Sequence, residues 1–202
     1  PQNYHEWSYF NRLETKEPDT AEWIRSFQSG EVFFDVGSNI GMYSIFAMLG
    51  NTNIKVASFE PGCSNFGRLV KNLQTVSNGR AVAYCVGLGN KAQYSFLSQT
   101  NPSESGHLSS ATAIPNEHGL VVVTLDSIIE QIQIFPEHIE VDVDGFEEQV
   151  LLGAEETLSD LRLKSIMIEL RDSTQSRCKE IMAANGFYVK TINNRNCNHL
   201  FT

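Results

Sequence analysis

Apolar and polar positions fall into two kinds of block along this chain. Short unbroken apolar runs bounded by turn residues predict strands buried on both faces, and stretches with apolar residues every three or four positions predict amphipathic helices. The first run, Val32-Phe33-Phe34-Asp35-Val36, closes on a glycine-punctuated turn, Gly37-Ser38-Asn39-Ile40-Gly41, and a helix opens at Met42-Tyr43-Ser44. A second strand at 56–59 ends in Glu60-Pro61, and Phe66, Leu69, Val70, Leu73 and Val76 follow at helical spacing. A third strand is predicted near 81–86, with Gly87-Leu88-Gly89-Asn90 turning the chain away. Strands near 121–125, 139–143 and 165–170 then alternate with helices: one near 126–132, one long helix whose stripe is Phe146, Val150, Leu151, Ala154 and Leu158, and one over 174–185 that Asn185-Gly186 stops. Residues 187–191 and 199–202, joined by an Asn-rich turn, read as an antiparallel pair at a sheet edge. Upstream, Asp19-Thr20-Ala21-Glu22 reads as a capping box, with Trp23, Ile24 and Phe27 at helical spacing and Gly30 ending that helix.

Strand–helix alternation of this kind specifies an α/β domain with a doubly wound, mostly parallel sheet. Residues 92–120 break the rhythm. Tyr94-Ser95-Phe96-Leu97 reads as a β piece beside a stretch rich in Ser, Asn, Gly and Pro, so a small β insertion with a mobile lid near 100–119 is expected. The whole chain, 1–202, is read as one domain, with an N-terminal segment and helix over 1–30 and the insertion over 92–120.

Composition narrows the function classes. The 41% hydrophobic and 19% charged content is ordinary for a globular domain. The net charge is −9 and no Lys/Arg cluster occurs, which argues against nucleic-acid binding. No apolar run of about 18 residues predicts a membrane span, and no signal peptide is visible. Cys63, Cys85, Cys178 and Cys197 form no CxxC and fit no zinc template, which suits a reducing, cytoplasmic setting. Cys85, in an apolar run, is expected in the core.

A strand, a glycine turn and a helix N-terminus together cradle nucleotide-like ligands, because backbone amides point at the ligand and glycine permits close approach. Glu60 lies 25 positions beyond Asp35 and ends the next strand, where a carboxylate can accept hydrogen bonds from ribose hydroxyls. The turn lacks the G-x-G-x-x-G pattern of pyrophosphate binders. A ligand with ribose and adenine but no pyrophosphate fits better, and S-adenosylmethionine is such a ligand. Two rival readings are a nicotinamide-dependent oxidoreductase, disfavoured by the missing glycine position, and a non-catalytic module that binds the same nucleoside. Ser38 and Ser44 read as turn and helix-start residues first, with ligand contact secondary.

Taken in order, FFDVGSNIGMYS, ASFEP, VTLDSI, EVDVDGFEEQVLLGA and IMIEL resemble the FkbM-type methyltransferases from roughly residue 17 to the end. The resemblance implies a class I, Rossmann-like methyltransferase fold with a seven-stranded sheet. It also implies S-adenosylmethionine as donor and usually a hydroxyl on a small molecule, glycan or lipid-linked acceptor. Carried over, Asp35, Gly37, Asn39 and Gly41 would cradle the methionine part and ribose of the donor, Glu60 would hold the ribose, Pro61 and Leu88 would cover the adenine, and Asp142 would sit near the amino group or sulfonium. Two positions depart from the family pattern: Glu140 stands where a Lys is usual, and Asp144 where a Glu is usual.

Asp142, Asp144 and Glu169 fall at or just beyond the ends of neighbouring predicted strands. They could share a hard cation such as Mg²⁺ through oxygen ligands, or one of them could act as general base. Asp144 could equally cap the following helix. His107, in the lid, could take an acceptor proton or be a surface histidine. Trp7, Tyr9 and Phe10 could close over a ligand or pack on the sheet.

Overall fold

A computed structural model of the chain describes residues 13–98, 107–109, 117–190 and 197–202. The central sheet is laid down by buried apolar runs: β1 (Val32–Val36), β2 (Lys55–Phe59), β3 (Ala81–Tyr84), β8 (His138–Val141), β9 (Ser165–Glu169), β10 (Val189–Lys190) and β11 (Asn198–Phe201). These seven strands stand in the order β10-β11-β9-β8-β1-β2-β3. β1 pairs in parallel with β2 and β8, and β11 runs antiparallel to both β9 and β10. The edge pair expected from the C-terminal sequence is therefore present, and the Asn-rich turn within it (191–196) lies outside the described residues.

Alternate residues of each strand feed two different cores, as a period of two requires. Phe34, Val36, Phe59, Ile139, Val141 and Ile168 pack under α4 (Leu125–Ile132), α5 (Glu147–Leu152), α6 (Glu155–Ser159) and α7 (Gln175–Ala184). Phe33, Val56, Met167 and Leu200 pack under α1 (Pro18–Arg25), α2 (Met42–Gly50) and α3 (Cys63–Gln74). Asp35 shares its face with Phe33, and its register partner across β8 is Glu140. That parity sends both acids into the α2 side of the molecule. At the opposite end of the sheet, Glu31, His138, Ser165 and Trp23 form a buried polar cluster.

The insertion forms a second sheet in the order β4-β7-β5-β6: β4 (Gly87–Leu88), β5 (Gln93–Ser98), β6 (His107–Ser109) and β7 (Glu117–Val123). Among the described residues no helix is long and apolar enough to cross a membrane.

The structure corrects five expectations. Gly87-Leu88 is not a turn but a short strand, because its partner Val122-Val123 is remote in sequence. β7 starts at Glu117, within the segment read as a lid. The single long helix after residue 146 is two short ones, α5 and α6, broken at Gly153. A Cβ there would stand 2.0 Å from the Gly89 carbonyl oxygen, so the break is where the insertion's first turn presses on the helical layer. The capping box at Asp19 is absent: the helix there, α1, starts at Pro18 and has no side-chain cap. Finally, Cys85 is exposed, because β3 stops at Tyr84.

Candidate functional site

The loop between β1 and α2 is shaped by glycine. Gly37 has φ +90, and a Cβ on it would stand 1.9 Å from the Asp142 carbonyl oxygen, so no other residue fits against the end of β8. Its N–H and that of Ser38 both donate to the Phe59 carbonyl, at 2.9 and 3.0 Å. Ser38 Oγ donates to the Asp35 carbonyl at 2.6 Å. Asn39 is left-handed, φ 51, and Gly41 caps α2 at φ +90.

Asp35 departs from the role implied by the family pattern. Its carboxylate is fully buried, and Oδ2 accepts from the Ser44 amide at 3.0 Å and from the Ser44 hydroxyl. Oδ1 has no partner. Burial, against the Ser44 hydrogen bonds, pushes this carboxyl up to about 6. Asp35 thus ties the first turn of α2 to β1. Asp35, Gly41 and Ser44 do not line the cleft; they shape its loop from behind.

The cleft lies at the C-terminal ends of the parallel strands, where a doubly wound sheet binds ligands. It holds about 940 Å³ of non-protein space, part of it open to solvent. One wall is the loop Gly37-Ser38-Asn39-Ile40 with Met42 and Tyr43. The second is Phe59, Glu60, Pro61 and Asn65, and the third is Val86-Gly87-Leu88 with Leu97 from the insertion. Asp142, Val143 and Asp144 complete it.

Glu60 stands directly across from the glycine loop. Its Oε2 accepts from the Asn39 amide at 2.9 Å and its Oε1 from the Gly62 amide at 2.7 Å. Burial is the main cause pushing this carboxyl up to about 7, opposed by those amides and helped by Asp35. These two amides and Asn65 fill three of the carboxylate's roughly four acceptor sites, so the group can still accept from a ligand hydroxyl. Asn65, also hydrogen-bonded to Glu60, was not singled out from the sequence; its place on the first turn after Glu60 was the available signal.

The other end of the cleft is acidic. Asp142, Asp144 and Glu169 each offer an oxygen within 4.8 Å of the others. Burial first, and then Glu169 as neighbour and hydrogen-bond partner, hold Asp142 well above the usual carboxylate range. The Asp142 carboxyl therefore holds its proton more tightly than a free aspartate, with Glu169 beside it as hydrogen-bond partner. Asp144 is left-handed, φ 52, and its carboxylate pairs with Arg171. It does not cap α5, whose N-cap is Phe146. Arg171 went unnoticed in the sequence because it lies two positions past β9 and in no motif. Behind Asp142, Glu140 is almost fully buried with Oε2 unpartnered, and burial together with Asp142, Asp35 and Glu17 holds its carboxyl well above the usual carboxylate range. Glu17 accepts from the Tyr43 hydroxyl and from Asn198 Nδ2. The backbone of His107 pairs with Ser98 in the insertion sheet; Trp7, Tyr9 and Phe10 lie outside the described residues.

Residues 35–194 match the methyltransferase FkbM domain. No curated protein matches. Three solved structures share the fold at low identity. Precorrin-6y C5,15-methyltransferase from Geobacter metallireducens aligns over 91% of this chain and 84% of its own, with TM-score 0.57 and 11% identity. An rRNA methylase from Streptococcus thermophilus aligns over 91% and 92%, with TM-score 0.53 and 13% identity. Fibrillarin from Aeropyrum pernix, solved with natively bound S-adenosyl-L-methionine, aligns over 91% and 73%, with TM-score 0.54 and 8% identity.

Proposed function

Since the chain belongs to the methyltransferase FkbM domain family and is thereby an S-adenosylmethionine-dependent methyltransferase, we propose that it methylates a hydroxyl oxygen of a neutral small molecule, glycan or lipid-linked acceptor. The observation that carries this reading is the placement of Glu60 opposite the Gly37–Asn39 loop across one cleft.

The cleft suits the donor. Glu60 would hold the ribose hydroxyls, with Pro61 and Leu88 as apolar faces for the adenine. The loop amides and Asp142 would meet the methionine end, where an acid complements positive charge. When bound, the donor supplies a methyl group already activated on a sulfonium. The chain's own work is then orientation and proton removal. Asp142 is the proton acceptor for the hydroxyl, and Glu169 is the hydrogen-bond partner that orients its carboxyl. Arg171 fixes Asp144 at the mouth and neutralises it, which favours the base reading over a bound Mg²⁺. The absence of a basic residue among the described lining residues, with three acids at the mouth, disfavours polyanionic acceptors such as RNA.

Calorimetry with S-adenosylhomocysteine and with NAD tests the donor, and methyl transfer from labelled donor to neutral polyols and to RNA tests the acceptor. Binding of NAD alone, or labelling of RNA alone, overturns the proposal.

A further inference from the structure

The proposed donor cleft has a feature that methyl transfer does not use: two thiols side by side at its rim. The β2–β3 ladder ends where the Glu60 amide donates to the Tyr84 carbonyl at 3.1 Å. Pro61 and Cys85 come next on the two strands. The chain then turns at Gly62 into α3, whose first residue is Cys63, and this folds Cys63 back beside Cys85. Cys85 Sγ lies 4.0 Å from the Pro61 carbonyl oxygen, and the two cysteine side chains are in hydrogen-bond contact. Both are exposed, whereas Cys178 is buried. Twenty-two positions of sequence separate the pair, and neither helical nor strand periodicity brings it together; the turn at Pro61-Gly62 does.

We propose that Cys63 and Cys85 form a reversible dithiol–disulfide pair whose oxidation closes the donor cleft; this rests on the donor-binding reading above. Neither cysteine lines the cleft, but each sits beside residues that do. Pro61 and Asn65 flank Cys63, and Val86 follows Cys85; all three line the cleft. A disulfide holds its sulfurs at about 2.05 Å, well inside the contact distance of two thiols. Bond formation therefore draws the start of α3 toward the β3–β4 connection. Little slack exists to absorb the movement. Pro61 has a fixed φ, and the Gly62 amide is bonded to Glu60 Oε1 at 2.7 Å. The narrowing falls between Pro61 and Leu88, the two faces assigned to the adenine, and it pulls on the carboxylate assigned to the ribose.

A peroxide is a sufficient oxidant. The Cys63 thiolate attacks one peroxide oxygen, breaking the O–O bond to give a sulfenic acid and hydroxide. The Cys85 sulfur then displaces the sulfenic oxygen, forming the S–S bond. In sum two thiols and one hydrogen peroxide give one disulfide and two waters, and a reducing dithiol reverses the step. Burial, Cys63 and Glu60 raise the Cys85 thiol and so lower its thiolate fraction, which leaves the first attack to Cys63. Linkage requires the reciprocal effect: donor filling the cleft disfavours the crosslink at equilibrium.

The test uses the full chain, reduced with dithiothreitol or oxidised with stoichiometric hydrogen peroxide. Non-reducing peptide mapping reads the Cys63–Cys85 bond, and calorimetry reads S-adenosylhomocysteine affinity. The expected result is a mapped 63–85 crosslink, an affinity at least about ten-fold weaker that dithiothreitol restores, and no oxidation effect in Cys63→Ser or Cys85→Ser. A missing crosslink, one that runs to the exposed Cys197 instead, or one that leaves affinity within about two-fold overturns the inference. If the reduced protein binds no S-adenosylhomocysteine, the donor reading itself falls; if it binds and oxidation is silent, only the thiol pair falls.

Discussion

Replacing Glu60 with glutamine changes one charged group at the centre of the proposed donor site while keeping its shape. In the wild-type protein the two carboxylate oxygens accept from two different amides, Asn39 at 2.9 Å and Gly62 at 2.7 Å. Glutamine has one acceptor oxygen, so its NH₂ must face one of those N–H groups. The charge-assisted hydrogen bonds expected to ribose, about 1.5–3 kcal/mol each, are lost at the same time. A net loss of about 3 kcal/mol corresponds to roughly 100-fold weaker S-adenosylhomocysteine binding at pH 8. The pH dependence is sharper evidence. Burial sets the free Glu60 carboxyl at about 7. If the ionised form binds ribose, wild-type affinity falls about ten-fold between pH 8 and pH 6, and the glutamine variant loses that slope.

Stability without ligand must run the other way. The folded protein holds the Glu60 proton more tightly than the unfolded chain does, about 7 against 4.5. This contribution is therefore fully present below pH 4.5 and is lost as pH rises to about 7, an effect of at most about 3 kcal/mol. Asp35 contributes with the same sign over a lower window, from 3.8 to about 6. The difference between wild type and Glu60→Gln in urea unfolding should thus be concentrated up to pH 7. Calorimetric titration across pH 6–8.5 is the deciding assay: an affinity within about three-fold of wild type, with an unchanged pH slope, would refute the ribose assignment.

Four further outcomes are expected. Gly37→Ala places a Cβ 1.9 Å from the Asp142 carbonyl at φ +90 and should lower unfolding free energy by about 2–4 kcal/mol in urea titration while abolishing donor binding. Asp142→Asn should cut kcat by about 10²–10⁴-fold and flatten the acid limb of the pH–rate profile, since the carboxylate assigned to take the proton is gone. Chelation with EDTA should leave kcat unchanged, because Arg171 already neutralises Asp144; loss of turnover restored by Mg²⁺ would reverse that conclusion. Glu140→Gln should change stability by less than about 1 kcal/mol near pH 7, because burial already disfavours the charged form of this acid and Oε2 has no partner to lose.

What the sequence discloses and what it conceals divide along one physical line. Strand–turn–helix order, the Glu60 position and the acids past residue 140 are legible, since each follows from periodicity and from where a strand stops. Non-local contacts are not. Gly87-Leu88 looks like a turn until Val122-Val123 arrives to pair with it. The stripe from Phe146 to Leu158 looks like one helix until the Gly89 carbonyl occupies the space a side chain would need at Gly153. Cys85 sits in an apolar run, but the strand ends one residue earlier and leaves the thiol at the rim.

Asp35 shows the same limit within the site. Its residue type and its place before the glycine loop suit a ligand contact and a scaffold role equally well, and the choice depends on strand parity. Asp35 shares the face of Phe33 and so meets α2, where Ser44 occupies its carboxylate. Glu60 lies one position past the end of β2, where parity no longer binds it to a layer, and it reaches the cleft. Glu140 follows Asp35 inward through their shared register, and Asp142, past the end of β8, escapes to the cleft as Glu60 does. Glu60 and Asp142, which line the cleft, both stand beyond the last paired residue of their strands, and Asp35, within β1, raises the proton affinity of Glu60 from behind.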